Sequence, residues 1–206
     1  MLLAEHIETS GWETAIRGMR NPMNSWEKSD SRFAPKVEIG KNDLDLMIRL
    51  VSAGTDHRKF MRMIIVRMDI TAPLYWWKEM DTYKVGTVAD SCSTMHKIHA
   101  KEFVLDDFSR EHLTGTSEGV LRDIIDILNM YRNMFLLEKD QDAKKEYWWQ
   151  MIQMLPSSYN QKRTWTGNYE VMRNIDHARK NHKLDEWHTL CHVIEKLPYF
   201  VPLIRD

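Results

Sequence analysis

Between Met61 and Thr71 the apolar pattern switches from a helical repeat to alternation, and this switch constrains the fold more than any other feature of the chain. Met61, Met63, Ile65 and Arg67 alternate with Arg62, Ile64, Val66, Met68 and Ile70. Side chains of a strand point to opposite faces in turn, so a run that is apolar on much of both faces belongs inside a sheet. The flanking segments follow a different period. Asn42 and Asp43 open an amphipathic helix with Leu44, Met47, Ile48 and Val51 on its apolar face, and Gly54 stops it. Pro73 suits the first turn of a second helix over 74–81 that carries Tyr75, Trp76 and Trp77. The stretch 86–94 is rich in small polar residues and reads as a loop. So does 12–31, which mixes Trp, Arg, Asn, Pro and Ser without a clear period.

The rest of the chain is helical in pattern. Ser117 is placed to cap a helix running to about Lys139, with Leu121, Ile124, Ile125, Leu128, Tyr131 and Phe135 on one face. Helices are predicted over 142–155, stopped by Pro156, over 166–180, and over 184–197, ended by Pro198. There is no internal repeat. The expected class is α/β or α+β, a small central sheet with a helical second half, as a single domain over residues 1–206.

Composition removes several function classes. The formal net charge is −1, whereas neutralising nucleic-acid phosphates needs a clustered basic surface, so no nucleic-acid partner is expected. A local anion pocket is compatible with that charge. Cys92 and Cys191 are the only cysteines, too few for a disulfide framework or a cysteine zinc site, and a reducing, cytoplasmic location is expected. No basic segment precedes an apolar run at the start of the chain, and no uninterrupted apolar stretch has the length of a membrane span. The 14 Met and 8 Trp suit a ligand pocket, a subunit interface or a Met-rich core.

Three stretches resemble the flavin-dependent thymidylate synthase family. In the first, Lys41 to Lys97, a helix ends at a glycine and is followed by the Asp56 to Phe60 loop, a strand, Ala72 and Pro73, and an aromatic helix. The family signature, R-H-R-x-x-S-x-N-E-x-S-x-R-Y-S, then falls on Thr82 to His96 without gaps. Lys84 keeps a cation at the second Arg, Thr87 stands for a Ser, Asp90 for the Glu and Cys92 for the second Ser. Thr82 and Tyr83 replace the opening Arg and His, Ala89 the Asn, and Thr94 and Met95 the Arg-Tyr pair. The second stretch is Leu155 and Pro156 followed by Asn168 and Arg179 at the family's spacing, with a helix containing Leu184, Asp185, Glu186 and Trp187 after them. An Arg that normally precedes the Leu-Pro is Ile152 here. The third is Ala15 to Arg20, similar to an early A-x-R-x-x-R segment.

The resemblance implies a thymidylate synthase-complementing-like fold and reductive methylation at C5 of dUMP or a related pyrimidine nucleotide. Methylenetetrahydrofolate would be the carbon donor, FAD the cofactor and NADPH the reductant, in a homotetramer with sites built across subunits. It assigns Tyr83, Lys84 and Asn168 to the cofactor, and Glu79, Asp90, Ser91, Cys92 and Arg179 to the substrate. No covalent protein nucleophile is required, so Cys92 also reads as a buried small hydrophobe. Three family Arg positions, at Thr82, Thr94 and Ile152, are vacant, and Lys78, Lys97, Arg58 and Arg62 are near enough in sequence to compensate. Plainer readings stand beside these. Arg58, Lys59 and Arg62 suit a solvated loop, and Asn168 a helix cap. Arg179 suits a salt bridge to Asp176 or Asp185, and Trp76 and Trp77 suit a core. His188 and His192, at helical i, i+4 spacing, suit a structural role as well as a metal. The rival functions are a non-catalytic nucleotide-binding descendant and a structural assembly protein.

Overall fold

The computed structural model describes residues 1–204. Four strands, β1 (Leu3–Ser10), β2 (Ile65–Pro73), β3 (Val88–Ser91) and β4 (Asn160–Asn168), form one antiparallel sheet in the order β1-β2-β4-β3. Nine α-helices accompany them among the described residues: α1 (Trp12–Arg20), α2 (Lys41–Ser52), α3 (Leu74–Met80), α4 (Thr94–Lys97), α5 (Gly115–Leu137), α6 (Gln141–Met154), α7 (Tyr169–Arg179), α8 (Asp185–Glu195) and α9 (Phe200–Ile204). This is the expected mixed class with a small sheet. The chain folds as two compact units. Unit 1 holds residues 1–3, 70–82 and 90–163, and unit 2 holds 4–69, 83–89 and 164 onward.

The strand foreseen from alternation is β2, and it lies inside the sheet between β1 and β4. Val66, Met68, Ile70 and Ala72 are buried, while Arg67 and Asp69 give the other face a polar character. The sequence reading started this strand too early: Arg58–Met63 is a 3-10 helix, with Phe60 and Met61 buried. The segment read as a loop over 12–31 contains α1, whose Trp12, Ala15, Ile16 and Met19 share one buried face at i, i+3, i+4, i+7. Gly11 precedes it in the left-handed region, where a Cβ would lie 2.1 Å from the Met63 carbonyl oxygen, so only glycine fits. The loop read over 86–94 contains β3, and the helix read from Thr166 begins at Tyr169 because β4 occupies the residues before it.

Each unit has its own core. In unit 2, α1 meets α2 through a buried ion pair, and Trp12 packs edge-on against Tyr169 at 5.1 Å. In unit 1, α5 and α6 pack as a helical hairpin around Leu121, Ile125, Leu128 and Met151, with Ile98, Phe103 and Phe108 completing the cluster. Ser117 lies inside the first turn of α5 rather than capping it, and Asp140 caps α6 by accepting from the Ala143 N–H at 2.9 Å. Trp76 and Trp77 on α3 are core residues, fully buried and edge to face at 4.9 Å.

Candidate functional site

Four of the expected site residues lie in unit 2: Tyr83, its neighbour Lys84 and Arg179 toward the C-terminal end of α7, and Asn168 at the N-terminal end of that helix. The Arg179 Nε donates to the Tyr83 hydroxyl at 2.9 Å. Its guanidinium also stacks 4.6 Å from the centroid of the buried Trp187 ring and 5.6 Å from that of Tyr83. Tyr83 and Trp187 meet edge to face at 6.0 Å. Arg179 is thus held by a phenol from the segment before β3 and an indole from α8, a cation–π arrangement that fixes the plane of its fork. The Tyr standing at the signature's His position supplies the hydroxyl, so two residues that the resemblance placed in the site are bonded to each other. Lys84, next to Tyr83, is exposed.

Asn168 takes the plainer of its two expected roles. It ends β4 and caps α7, its Oδ1 accepting from the Val171 N–H at 3.0 Å. Gly86 lies against its other side. The glycine has φ of +75°, and a Cβ there would meet the Asn168 Nδ2 at 3.0 Å. Arg58 and Arg62, expected as spare cations, are spent on one buried carboxylate. Arg58 Nε meets Glu170 Oε1 at 3.2 Å, and Arg62 Nε bonds Oε2. Burial alone would raise the Glu170 pKa, but the hydrogen bonds from Arg62 and Arg58 outweigh it and hold the carboxyl below its usual range.

The remaining expected residues lie in unit 1. Glu79 is half-buried near the end of α3, and its carbonyl accepts from the Thr82 hydroxyl at 2.7 Å. Asp90 and Ser91 are exposed on β3. Cys92 follows them and is exposed, which corrects the expectation of a buried thiol. Its backbone is pinned to β4: the Cys92 N–H donates to the Lys162 carbonyl at 2.9 Å, and Gln161 Nε2 donates to the Cys92 carbonyl at 2.8 Å. The thiol cannot sink inward while both backbone groups are held in this register. Cys191, by contrast, is buried in α8, and burial, with Asp176 and Glu195 nearby, pushes its thiol up to about 12.

A cavity of about 460 Å³ opens in unit 1 beside Cys92. Cys92, Thr94, Lys97, Lys101, Tyr159 and Lys162 are among its walls. Lys101 is bonded to Asp107, an interaction that raises its pKa. Burial, with Asp107 beside it, raises that of Tyr159. The walls therefore offer ammonium groups, the carboxylates of Asp106 and Asp107, hydroxyls and a thiol around a partly apolar floor that includes Ile98 and Phe103, a mixed set suited to a small polar ligand with an organic body. Sequence reasoning picked out Cys92, Thr94 and Lys97 but missed Lys101, Tyr159 and Lys162, because nothing in their local pattern marks a wall shared with residues so distant in sequence. His188 and His192 lie exposed beside Asp185 and Glu195, and among the described residues no group of three or more His, Cys, Asp or Glu is placed to hold a metal.

The small antiparallel sheet with its many helices gives a mixed α/β chain whose fold is like that of flavin-dependent thymidylate synthases. Two solved structures carry the likeness. One is the flavin-dependent thymidylate synthase ThyX from Helicobacter pylori complexed with FAD and dUMP: TM-score 0.66, 17% identity, covering 98% of this chain and 96% of that one. The other, also ThyX from Helicobacter pylori with FAD and dUMP, has the same TM-score and identity over 100% of this chain and 99% of that one. No family model matches the chain, and no curated protein matches it in sequence. At this identity the likeness is one of fold.

Proposed function

We propose that this chain binds a pyrimidine nucleotide monophosphate. The observation that carries the reading is the end-to-end likeness of its fold to proteins solved with dUMP and FAD. The chain's own residues support it in two places. Arg179, with its plane set by Trp187 and Tyr83, is oriented for in-plane contacts to a phosphate or a base edge. Lys97 and Lys162, in the walls of the unit 1 cavity, offer point charges of the kind that the vacated Arg positions would have supplied as forks. No described helix is long and apolar enough to cross a membrane, and action in the cytoplasm is part of the same proposal.

The finer proposal is reductive methylation of dUMP at C5, with methylenetetrahydrofolate as carbon donor and NADPH as reductant. FAD would supply the hydride. The residues assigned to the flavin meet it poorly. Asn168 is used as a cap with Nδ2 against Gly86, and the Tyr83 hydroxyl is held by Arg179, which leaves the exposed Lys84 as the cation for a flavin phosphate. That disagreement favours a second reading, a nucleotide-binding protein that works without the flavin.

One experiment separates the three outcomes. The purified protein is scanned for a flavin absorbance band, then titrated calorimetrically with dUMP, with and without added FAD. Binding of dUMP without FAD supports nucleotide binding, and a flavin band or FAD-dependent dUMP binding extends it to the enzyme. No heat with dUMP under either condition overturns the proposal.

A further inference from the structure

The loop after α1 is held more firmly than a solvated connection needs, and it presents two aromatic rings to a pocket. Arg20 donates to the Ser25 and Lys28 carbonyls, and the Ser29 and Ser31 hydroxyls donate to the buried Asp43. Arg32 and Glu38 exchange two backbone hydrogen bonds at 2.8 Å. Within this frame the half-exposed Trp26 is pinned, its Nε1–H donating to Asn21 Oδ1 at 2.8 Å. Phe33 is half-buried beside the Arg32–Glu38 bridge. Trp26 and Phe33 line a pocket of about 140 Å³ together with the buried Ile16 of α1. The same helix brings Glu13 and Arg17 to this pocket, both exposed and one turn apart. A Glu and an Arg at that spacing are placed to pair with each other, yet neither side chain has a hydrogen-bond or ion-pair partner among the described residues. Arg20, also in the lining, is spent on Asp43 and the two carbonyls. The pocket therefore offers one carboxylate, one guanidinium and two ring surfaces held in place.

We propose that this pocket binds a small aliphatic α-amino acid as its zwitterion. Glu13 takes the ammonium, Arg17 takes the carboxylate, and the side chain enters against Trp26 and Phe33. On a helix, Cβ atoms one turn apart are separated by about 5–6 Å. An ammonium and a carboxylate on one carbon close that gap with a charge-assisted hydrogen bond, about 2.8 Å long, at each end. A purely cationic ligand would meet Arg17, and a purely anionic one Glu13, so a molecule that carries both charges satisfies the pair best. Size sets the class. Pockets for drug-sized ligands hold about 300–1,000 Å³. A volume of about 140 Å³ admits a body of leucine's size and excludes a nucleotide. Because the Trp26 ring is already fixed by Asn21, little ordering is left for the ligand to impose. The pocket lies wholly in unit 2, on residues that the nucleotide reading does not use, and it would remain if no nucleotide bound.

The test follows the Trp26 indole N–H in a proton–nitrogen NMR spectrum of the full chain, its signal identified by its loss in Trp26→Phe. L-leucine should move that signal saturably. Isocaproate, which lacks the ammonium, and isoamylamine, which lacks the carboxylate, should each need roughly 10-fold more ligand for the same shift. Glu13→Gln should erase the preference for leucine over isocaproate, and Arg17→Gln the preference over isoamylamine, with circular dichroism unchanged. The ligand series on the unsubstituted protein decides the matter if a variant does not fold. A Trp26 signal that L-leucine leaves in place overturns the proposal. An equal response to all three ligands overturns it too, since the pocket would then be an apolar cleft without charge recognition. Preferences that survive intact in both folded variants would likewise remove Glu13 and Arg17 from the site.

Discussion

Two arginines in unit 2 show how differently one side chain can be employed. Arg20, 4% exposed, spends its whole fork on its own chain. Nε donates to Asp43 Oδ1 at 2.7 Å, and its two terminal nitrogens donate to the Ser25 and Lys28 carbonyls at 3.2 and 3.1 Å. Asp43, fully buried, also accepts from the hydroxyls of Ser29 and Ser31 and the N–H of Asp30. Arg179 is half-buried, and a phenol and an indole face hold it. The first arrangement completes a buried network and ties a loop to α2, so its chemistry ends in the fold. The second fixes the plane of the guanidinium between two rings. Arg20 lies in the early segment that resembles the family, yet the geometry makes it a structural residue.

Removing the partner of Arg20 should break the fold's side of this contrast most heavily. Asp43→Ala leaves a buried guanidinium unpaired and should cost about 3–5 kcal/mol, read as a lower urea midpoint. The same corner carries an acid sensitivity. Burial alone would raise the Asp43 pKa, but the hydrogen bonds from Ser31, Ser29 and Arg20 outweigh it and hold the carboxyl below its usual range. A folded-state pKa below the unfolded value means that its stabilisation is complete above the unfolded value of about 3.9 and fades as pH falls through the lower folded value. Stability measured against pH should therefore drop below about pH 4 in the natural protein, and Asp43→Asn should flatten that part of the curve. An unaltered acid limb would take Asp43 out of the account.

The Arg179 side should respond in affinity. Arg179→Ala should weaken dUMP binding 10-fold or more, about 1.5–3 kcal/mol, at a smaller cost in stability than Asp43→Ala. Equal dUMP titrations for variant and parent would make Arg179 another structural arginine and dissolve the contrast. The smallest effect is expected at Tyr83→Phe. It removes the hydroxyl that receives Nε while leaving the ring on Trp187, and should cost roughly 0.5–1.5 kcal/mol in thermal unfolding. A loss of dUMP affinity in Tyr83→Phe that Tyr83→His restores would show that an acceptor for the Nε–H positions Arg179; packing alone would not give that rescue.

How much of this was legible in the sequence depended on whether burial followed a period. β2 was found because every second residue from Val66 to Ala72 is buried, α2 and α5 because their apolar faces recur at helical spacing, and α6 because Pro156 marks its end. β3 is exposed at all four residues, and β4 is built mostly of polar residues held by a few buried ones, Gln161, Trp165 and Gly167, so neither carries an alternation to read. β1 is silent for the same reason, with exposed Leu3 and Ile7. The helix at α1 was a different kind of miss: Trp12, Ala15, Ile16 and Met19 did show the repeat, masked by the irregular residues after Arg20. For the site, residue type and spacing brought out Arg179, Asn168 and Cys92. What they could not give was partnership, since Tyr83 with Arg179 and Gly86 with Asn168 join positions about eighty to a hundred residues apart.

The contact between Gly86 and Asn168 also sets an order on change. A side chain at 86 would need the left-handed backbone and the room that the Asn168 amide now fills, so substitution there first is costly. Replacement of Asn168 by Ser is mild, because a hydroxyl still accepts from the Val171 N–H, and it removes the crowding amide. Only then does Asn or Asp, which tolerate a positive φ, become admissible at 86. Drift through these two positions would therefore run one way, and a double-mutant cycle of Asn168→Ser with Gly86→Asn should show it as strongly non-additive stability.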